Sequence, residues 1–488
     1  MYDVLIIGAG VVGCALARKL SHYAGKIAVL EMAEDVADGA SKANSGIVHA
    51  GFDAKPGTKK AYYNVRGARL YAQLAPALNV PYRRNGALVL AFSPEEQEKV
   101  QALYRQGQQN GVEALRILER EEILALEPQT NPQVECALYA PTSAVVSPYE
   151  MTIALAYHAA QNGVEFKLNT PVSALHHDGE SWWVGTSAGV LQARAVVNCA
   201  GLGAAALHNM ISDTPVEIVP RKGEYYLLDY TAALPFDHTM FQAPSAMGKG
   251  VLISPTAHGN CLLGPSATDV AGMEINTDTT RSGLDFVLDK ARRTWPALST
   301  RATITTFAGL RAHPTGDDFI IGPVSGAPAG AYEAIGIESP GLTAGPAIGE
   351  ELGEQVAEEL KLPERRLFKA PVPLLKPFSA MTDAERAQAC RENPDYGRIV
   401  CRCEVVTEAE IKDAIHRPVG ARSIDAVKRR TRAGMGRCQG GFCSPRVLEL
   451  LCEELHCSPL EITKCGGDSR LLAGTLAQIA KEAQGREH

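Results

Sequence analysis

Short apolar runs, glycine turns and stretches with helical spacing succeed one another from the start of the chain. Val4–Ile7 is a continuous apolar run, as a strand buried on both faces requires, and it leads into Gly8-Ala9-Gly10-Val11-Val12-Gly13. A helix is predicted over Gly13–Ser21, and Ile27–Glu31 is a second apolar run that ends in an acid. Residues 2–31 thus read strand, glycine loop, helix, strand. Residues 93–128 are polar with helical spacing and are expected on a cap. After Pro148 the alternation returns, with a helix Tyr149–Asn162, a strand Glu165–Leu168, a strand pair around Trp182–Val184, and Ala195–Cys199 running into Ala200-Gly201. From Glu217 to Thr306 the pattern is rich in strands and turns, and residues 331–360 read strand, glycine turn, long helix. Pro363, Pro371, Pro373 and Pro377 mark Lys361–Phe378 as a linker. Beyond it, Thr407 and Glu410 form a capping box with Val406 and Ile411 as its hydrophobic staple. Ser444-Pro445 reads as an N-cap followed by proline at the first helical position.

At 488 residues the chain is long enough for several domains and an ample core. A formal charge of −7 supplies no basic field, so nucleic acid is not expected as a partner. No apolar stretch reaches 18 residues, so no membrane span is expected. The first strand starts almost at Met1, which leaves no room for a secretory signal and points to the cytoplasm. In that compartment clustered cysteines favour metal over disulfides.

The glycine loop has a defined chemistry. Gly8 permits a tight turn, Gly10 lets backbone approach a pyrophosphate, and Gly13 lets helix and strand pack closely. Glu31 lies where an acid accepts hydrogen bonds from a ribose. The loop predicts a dinucleotide and does not choose between FAD and NAD. Two further segments bear on that choice. Ser41, Asn44, Ser45 and Gly46 belong to a small, polar run suited to lying against a flat ring. Gly341, Leu342 and Thr343 open a helix whose N-terminus would stabilise negative charge on a reduced flavin.

Near the other end stand Cys401, Cys403, Cys438 and Cys443, reading CRC and CQGGFC. Two close pairs converge readily on one soft metal centre, an iron–sulfur cluster or zinc. Cys443 precedes a predicted helix, whose free N–H groups favour thiolate. The cationic run Lys428–Arg432 would offset a cluster's negative charge, or else is a solvated helix face. Cys14, Cys199 and Cys261 read as core thiols, Cys136 has no assigned role, and Cys452, Cys457 and Cys465 are weighed as a second metal site.

The runs Asn44–Gly51, Val196–Gly201, Phe307–Arg311 and Ile337–Gly345, in that order, resemble the FAD-dependent oxidoreductases of the D-amino-acid oxidase and glycerol-3-phosphate dehydrogenase superfamily. The resemblance covers about residues 1–365. It implies FAD, and the expected contacts are Gly8, Gly10, Gly13, Glu31, Ser41, Asn44, Ser45, Gly46, Val172, Ala200, Gly201, Gly341, Leu342 and Thr343; the glycine loop, Glu31 and the Gly341–Gly345 turn make noncovalent binding the expectation. Within that superfamily Asn44–Gly51 and Lys222–Tyr226 look most like L-2-hydroxyglutarate dehydrogenases, with Arg221-Lys222 departing from that family's pattern. The run Lys428–Gly440 looks like the large subunit of anaerobic glycerol-3-phosphate dehydrogenase. That tail resembles bacterioferritin-associated-ferredoxin domains, which implies Cys401, Cys403, Cys438 and Cys443 as ligands of a 2Fe–2S cluster.

The expected architecture is α/β and α+β. It comprises a Rossmann-like FAD-binding domain (1–80, 140–215, 305–365), an antiparallel-sheet substrate domain (81–139, 216–304), a linker at 366–395, a small helical 2Fe–2S domain at 396–460 and a tail at 461–488. Arg311 is expected to bind an anionic substrate group, because an arginine fork suits carboxylate and phosphate alike. His49 is a candidate base, flavin contact or covalent attachment point, with a core histidine as the alternative, and His313 would face the same side of a strand as Arg311. Lys222, Glu224 and Tyr226 alternate along a strand and would offer the site a cation, an acid or base and a hydroxyl. The expected activity is oxidation of a small anionic hydroxy compound. Glycerol 3-phosphate is favoured over L-2-hydroxyglutarate or another 2-hydroxy or amino acid, and an electron-relay subunit is the remaining alternative. An acceptor protein or further subunits, an oligomer, and peripheral membrane association through a partner complete the expectation.

Overall fold

A computed structural model describes the whole chain except residues 230–233, 245–249, 271, 273–274, 475 and 477–488, so part of the predicted substrate domain and of the tail lies outside the described residues. Two compact units are present. The first is Met1–Met32 with Val36–Leu374; the second is Ala33–Asp35 with the residues from Leu375 onward.

The first unit is built on two large sheets. In one, Tyr2–Ile7 is flanked by parallel strands Ile27–Leu30 and Gly189–Asn198, and Glu165–Lys167 and Ala331–Ile335 extend the parallel core on either side. Tyr2–Ile7 is buried along almost its whole length, which explains the unbroken apolar run. Val172–His177 and Trp182–Thr186 form an antiparallel edge, and Ile320–Pro323 another. The helices Val11–Leu20, Pro148–Gln161 and Gly341–Glu359 agree with the predicted ones to within a few residues.

Among the described residues, the second sheet has nine strands and is antiparallel except where Thr239–Gln242 runs parallel to Ala87–Ala91. Its long members, Ile218–Leu228 and Thr303–Pro314, pair along nearly their full length, with Arg221 opposite Arg311, Gly223 opposite Gly309 and Tyr225 opposite Phe307. Within the stretch read as strands, residues 281–294 instead form the helix Arg281–Thr294, capped by the Thr280 side chain. The helix Lys59–Ala77, capped by Thr58, also goes beyond the predicted elements.

In the second unit, the capping box at Thr407 and Glu410 starts the helix Glu408–His416 as predicted. Val406 and Ile411 are buried in one cluster, as a staple requires. The helices Ile424–Thr431 and Ser444–Leu455 complete a small core. Residues 366–395, expected as linker, include the helix Asp383–Glu392, started by a second capping box at Thr382 and Glu385.

Candidate active site and iron–sulfur centre

The glycine loop is confined by backbone. A Cβ on Gly8, at φ +103°, would lie 2.5 Å from the Cys199 carbonyl oxygen, and one on Gly13 would lie 1.9 Å from the Gly8 oxygen. Both glycines are therefore obligatory for this turn. Gly10 differs: its nearest neighbour would be Ser41 Oγ at 3.3 Å, so the loop is open where a pyrophosphate would approach. Gly10 caps the helix Val11–Leu20 without a side-chain bond. The Val11 N–H donates to Ser41 Oγ at 2.9 Å, and Ala9 N–H donates to a Glu31 carboxylate oxygen at 2.7 Å. Thr170 N–H donates to the Glu31 carbonyl, which brings the strand opened by Val172 beside that acid. Ala200 and Gly201 follow the strand whose end packs on Gly8.

The flavin-facing candidates are held by local bonds. Asn44 accepts from Gly46 N–H and donates to the Ala40 carbonyl, so it shapes its own turn. Ser45 lies between them, half-buried. Gly46, at φ +65°, has no room for a Cβ beneath the Val146 carbonyl. Thr343, wholly buried, accepts from His49 N–H at 3.0 Å and donates to the Ile47 carbonyl at 3.2 Å. That hydroxyl fixes His49 to the start of the helix Gly341–Glu359. The Tyr71 hydroxyl donates to the Leu342 carbonyl and holds the same turn from the other side. Pro340 precedes the helix and supplies no side-chain cap. The helix start and the half-buried His49 are thus one assembly.

The paired long strands decide which side of their sheet meets it. A Cβ on Gly309 would sit 1.9 Å from the Ala43 oxygen, so this strand touches the candidate flavin-facing run directly. Alternation then places Phe307, Arg311 and His313 on that face, with Arg221, Gly223 and Tyr225 opposite on the neighbouring strand. Tyr225 stacks on Phe307 with ring centroids 4.8 Å apart. Arg311 donates through Nη2 to the Ser266 carbonyl at 3.0 Å and through Nε to the Arg221 carbonyl at 3.4 Å. Both acceptors are neutral backbone oxygens, which orient the fork without neutralising it. Neighbouring Arg221 is bound through two bonds to Asp269.

His313 Nδ1 lies 3.0 Å from Glu338 Oε1, and Lys60 Nζ lies 2.8 Å from the same carboxylate. Burial pushes Glu338 up, but Lys60 and then His313 outweigh it and hold the carboxyl below its usual range. His313, Asp317 and Glu338 lie close enough to ligate a metal, yet Lys60 already places its ammonium against both acids. Glu338 stands in a run singled out by sequence but carries no assigned role there. Lys60 gave no signal, because a lysine in the first turn of an unpredicted helix looks like any surface cation.

Lys222, Glu224 and Tyr226 do share one face, but it is the opposite one. Glu224 is buried and accepts from Thr280 N–H and Thr280 Oγ1 at 2.8 and 2.9 Å, which holds the start of the helix Arg281–Thr294. A Cβ on Gly283 would meet that carboxylate at 2.5 Å. Lys222 Nζ approaches Asn276 Oδ1 at 3.5 Å, and Tyr226 packs into the apolar cluster containing Val287 and Ala291. Glu224 and Tyr226 thus pack against the helix Arg281–Thr294, on the face of the sheet away from Ala43.

In the second unit the four cysteines meet in pairs. Cys403 Sγ and Cys438 Sγ are 3.8 Å apart, and the Cys401 and Cys443 thiols are hydrogen-bonded to each other. Cys401 is pulled down to about 6, first by that bond and then, against burial, by backbone N–H groups of Gly434, Glu404 and Cys403. Cys438 is lowered first by the Phe442 N–H. A tetrahedral zinc site, with bonds near 2.3 Å, would hold all four sulfurs about 3.8 Å from one another. Among the described residues, no three of these sulfurs lie within 4.8 Å of one another. Two pairs ringed by N–H donors instead fit two irons, with two thiolates each and hydrogen bonds to sulfur. A Cβ on Gly436 would collide with Cys403 Cβ, so glycine is required there.

Cys443 itself, rather than Ser444, is the N-cap of the following helix. The cationic run is largely paired: Arg429 and Arg430 bind the buried Asp35, and Arg432 binds Glu404. Cys452, Cys457 and Cys465 form no group of three metal-ligating atoms among the described residues. Cys14, Cys136, Cys199 and Cys261 are buried and, among the described residues, form no disulfide.

Residues 3–355 match the family described as FAD dependent oxidoreductase. The chain belongs to that family. Residues 399–453 match the BFD-like [2Fe-2S] binding domain. The protein is a FAD-dependent oxidoreductase, and its cofactors are FAD and a 2Fe–2S cluster. It is similar to a glycerol 3-phosphate dehydrogenase of Caloramator mitchellensis, 44% identical over 97% of this chain and 98% of that one. A mitochondrial L-2-hydroxyglutarate dehydrogenase of Arabidopsis thaliana is 29% identical over 72% of this chain and 83% of its own length. Among solved structures, the dithionite-reduced, FAD-bound L-alpha-glycerophosphate oxidase of Mycoplasma pneumoniae superposes with a TM-score of 0.73 at 30% identity, covering 77% of this chain and 99% of that one. Among the described residues no helix is long and apolar enough to cross a membrane.

Proposed function

We propose that the protein oxidises sn-glycerol 3-phosphate to dihydroxyacetone phosphate and delivers the electrons singly to an acceptor protein. The likeness to a glycerol 3-phosphate dehydrogenase over almost the full length of both chains carries this reading, because it spans the flavin and iron–sulfur regions together. When bound, FAD accepts a hydride from the carbinol carbon, and the 2Fe–2S cluster carries single electrons onward.

The chain's own residues bind, orient and deprotonate. Arg311, its fork aligned by two carbonyls, binds the phosphate. His49, held by Thr343, takes the hydroxyl proton as the carbon becomes a ketone. His313, beside Glu338, lies on the Arg311 side of the sheet and helps shape the anion-binding end. In this reading Gly8, Gly10, Gly13, Glu31, Val172, Ala200 and Gly201 hold the dinucleotide portion. Ser41, Asn44, Ser45, Gly46, Gly341, Leu342 and Thr343 hold the ring end. The cluster sits on Cys401, Cys403, Cys438 and Cys443.

The L-2-hydroxyglutarate dehydrogenase likeness supports a competing reading, since Arg311 would hold a carboxylate equally well. Steady-state kinetics with a dye acceptor separates the two. Glycerol 3-phosphate should exceed uncharged glycerol in kcat/KM by about a hundredfold or more, the worth of a charge-assisted anchor, and should turn over faster than L-2-hydroxyglutarate. Equal or better turnover of L-2-hydroxyglutarate would replace the proposal.

A further inference from the structure

The two loops that carry the cluster cysteines present an unusual set of side chains to solvent. Phe442, between Gly441 and Cys443, is 88% exposed, although Cys443 beside it is buried. Val405, two residues after Cys403, is also exposed. The remaining exposed residues of these loops are Arg402, Arg437, Gln439, Gly441 and Pro445, so two arginines and no acid accompany the apolar pair. This local cationic character runs against the chain's formal charge of −7. The Phe442 N–H serves the Cys438 sulfur, and Gly441 N–H donates to the Cys438 carbonyl. The ring is therefore displayed by a backbone that the cluster ligands already fix.

A single exposed apolar side chain is ordinary. A rigid aromatic beside a redox centre, rimmed by arginine forks, has the composition of an interface anchor. We propose that Phe442, Val405, Arg402 and Arg437 form the docking surface for a small acidic one-electron carrier protein. The aromatic ring fills an apolar spot on the carrier while the arginines take its carboxylates, which places the carrier's redox centre against the cluster. The arginines also offset the cluster's negative charge, which would otherwise repel an acidic partner. Such a contact is small and transient, as electron-transfer encounters are. Each carrier leaves with one electron, so two carriers are reduced per substrate oxidised.

The inference rests on the cluster being the electron exit, and a binding measurement keeps it separate from the choice of substrate. The probe is rubredoxin, a small acidic carrier, with zinc in place of iron so that no electron moves. Its Kd for the holoenzyme is measured by calorimetry at low and high salt, with basic cytochrome c as the contrast. Rubredoxin should bind more tightly than cytochrome c, and its binding should weaken as salt rises. Phe442→Ala and Arg402→Glu should each raise its Kd by about tenfold or more. In Phe442→Ala, cluster absorbance and dye reduction should stay as in wild type. Wild-type Kd values in both variants, or no preference over cytochrome c, would overturn the proposal. So would a Phe442→Ala enzyme that binds rubredoxin normally but no longer reduces its own cluster with substrate, because the ring would then serve transfer inside this chain.

Discussion

Arg311 and Glu224 differ in what holds them. Arg311 is aligned by neutral carbonyls, as the proposed anion anchor needs, whereas Glu224 gives both oxygens to Thr280. Arg311→Lys should therefore lower kcat/KM for the anionic substrate by roughly 30- to 1000-fold, about 2–4 kcal/mol, because a lysine loses the fork. The same variant should treat glycerol much as wild type does, and comparing both substrates checks this. Glu224→Gln should leave KM unchanged and lower the melting temperature, since a weakened helix start costs about 1 kcal/mol. A large loss of kcat with normal stability would place Glu224 in the chemistry. Asp35 is a third kind of residue. Burial pushes its carboxyl up, but Arg430 and Arg429 outweigh that and hold it below its usual range. Its contribution is therefore present above the unfolded carboxylate range and is lost as pH falls through its folded value. The run Lys428–Arg432 announced arginines near a cluster, but not their acid, which is distant in sequence.

Among the elements, the existence of the paired strands was more legible than their orientation. Period-two alternation correctly put Lys222, Glu224 and Tyr226 together. It could not say which face meets the run Ser41–Gly51, because both faces of this sheet are covered. The deciding contacts are Gly309 against Ala43 on one side and Glu224 against Thr280 on the other, both between residues far apart in the chain. The helix Arg281–Thr294 hid for a related reason: the turns before it suggested more strand, although Leu284, Val287, Leu288 and Ala291 already have helical spacing. The helix in the expected linker was legible, since Thr382 and Glu385 spell a capping box. The glycine loop was read almost fully, because its constraints come from neighbours in sequence and from the strand it follows. Gly309→Val tests the contact between strand and flavin-facing run. A Cβ there meets a backbone carbonyl that cannot move aside cheaply. Purified protein should carry well under half of the normal FAD while retaining its iron. Normal FAD content and normal KM would show that this approach does not shape the site.

Across the whole molecule, two cofactors in one chain imply a countable electron capacity. FAD stores two electrons and a 2Fe–2S cluster one, so full reduction takes about 1.5 equivalents of a two-electron substrate per chain. The direct test is an anaerobic titration with glycerol 3-phosphate, following flavin absorbance and the paramagnetic signal of the reduced cluster together. Wild type should bleach and show the cluster signal, with an end point near 1.5 equivalents. Cys401→Ser should bleach at about one equivalent with no cluster signal, because it loses a ligand but not the flavin site. Flavin that glycerol 3-phosphate leaves oxidised while L-2-hydroxyglutarate bleaches it, or a wild-type cluster that stays oxidised after the flavin is reduced, would contradict the account.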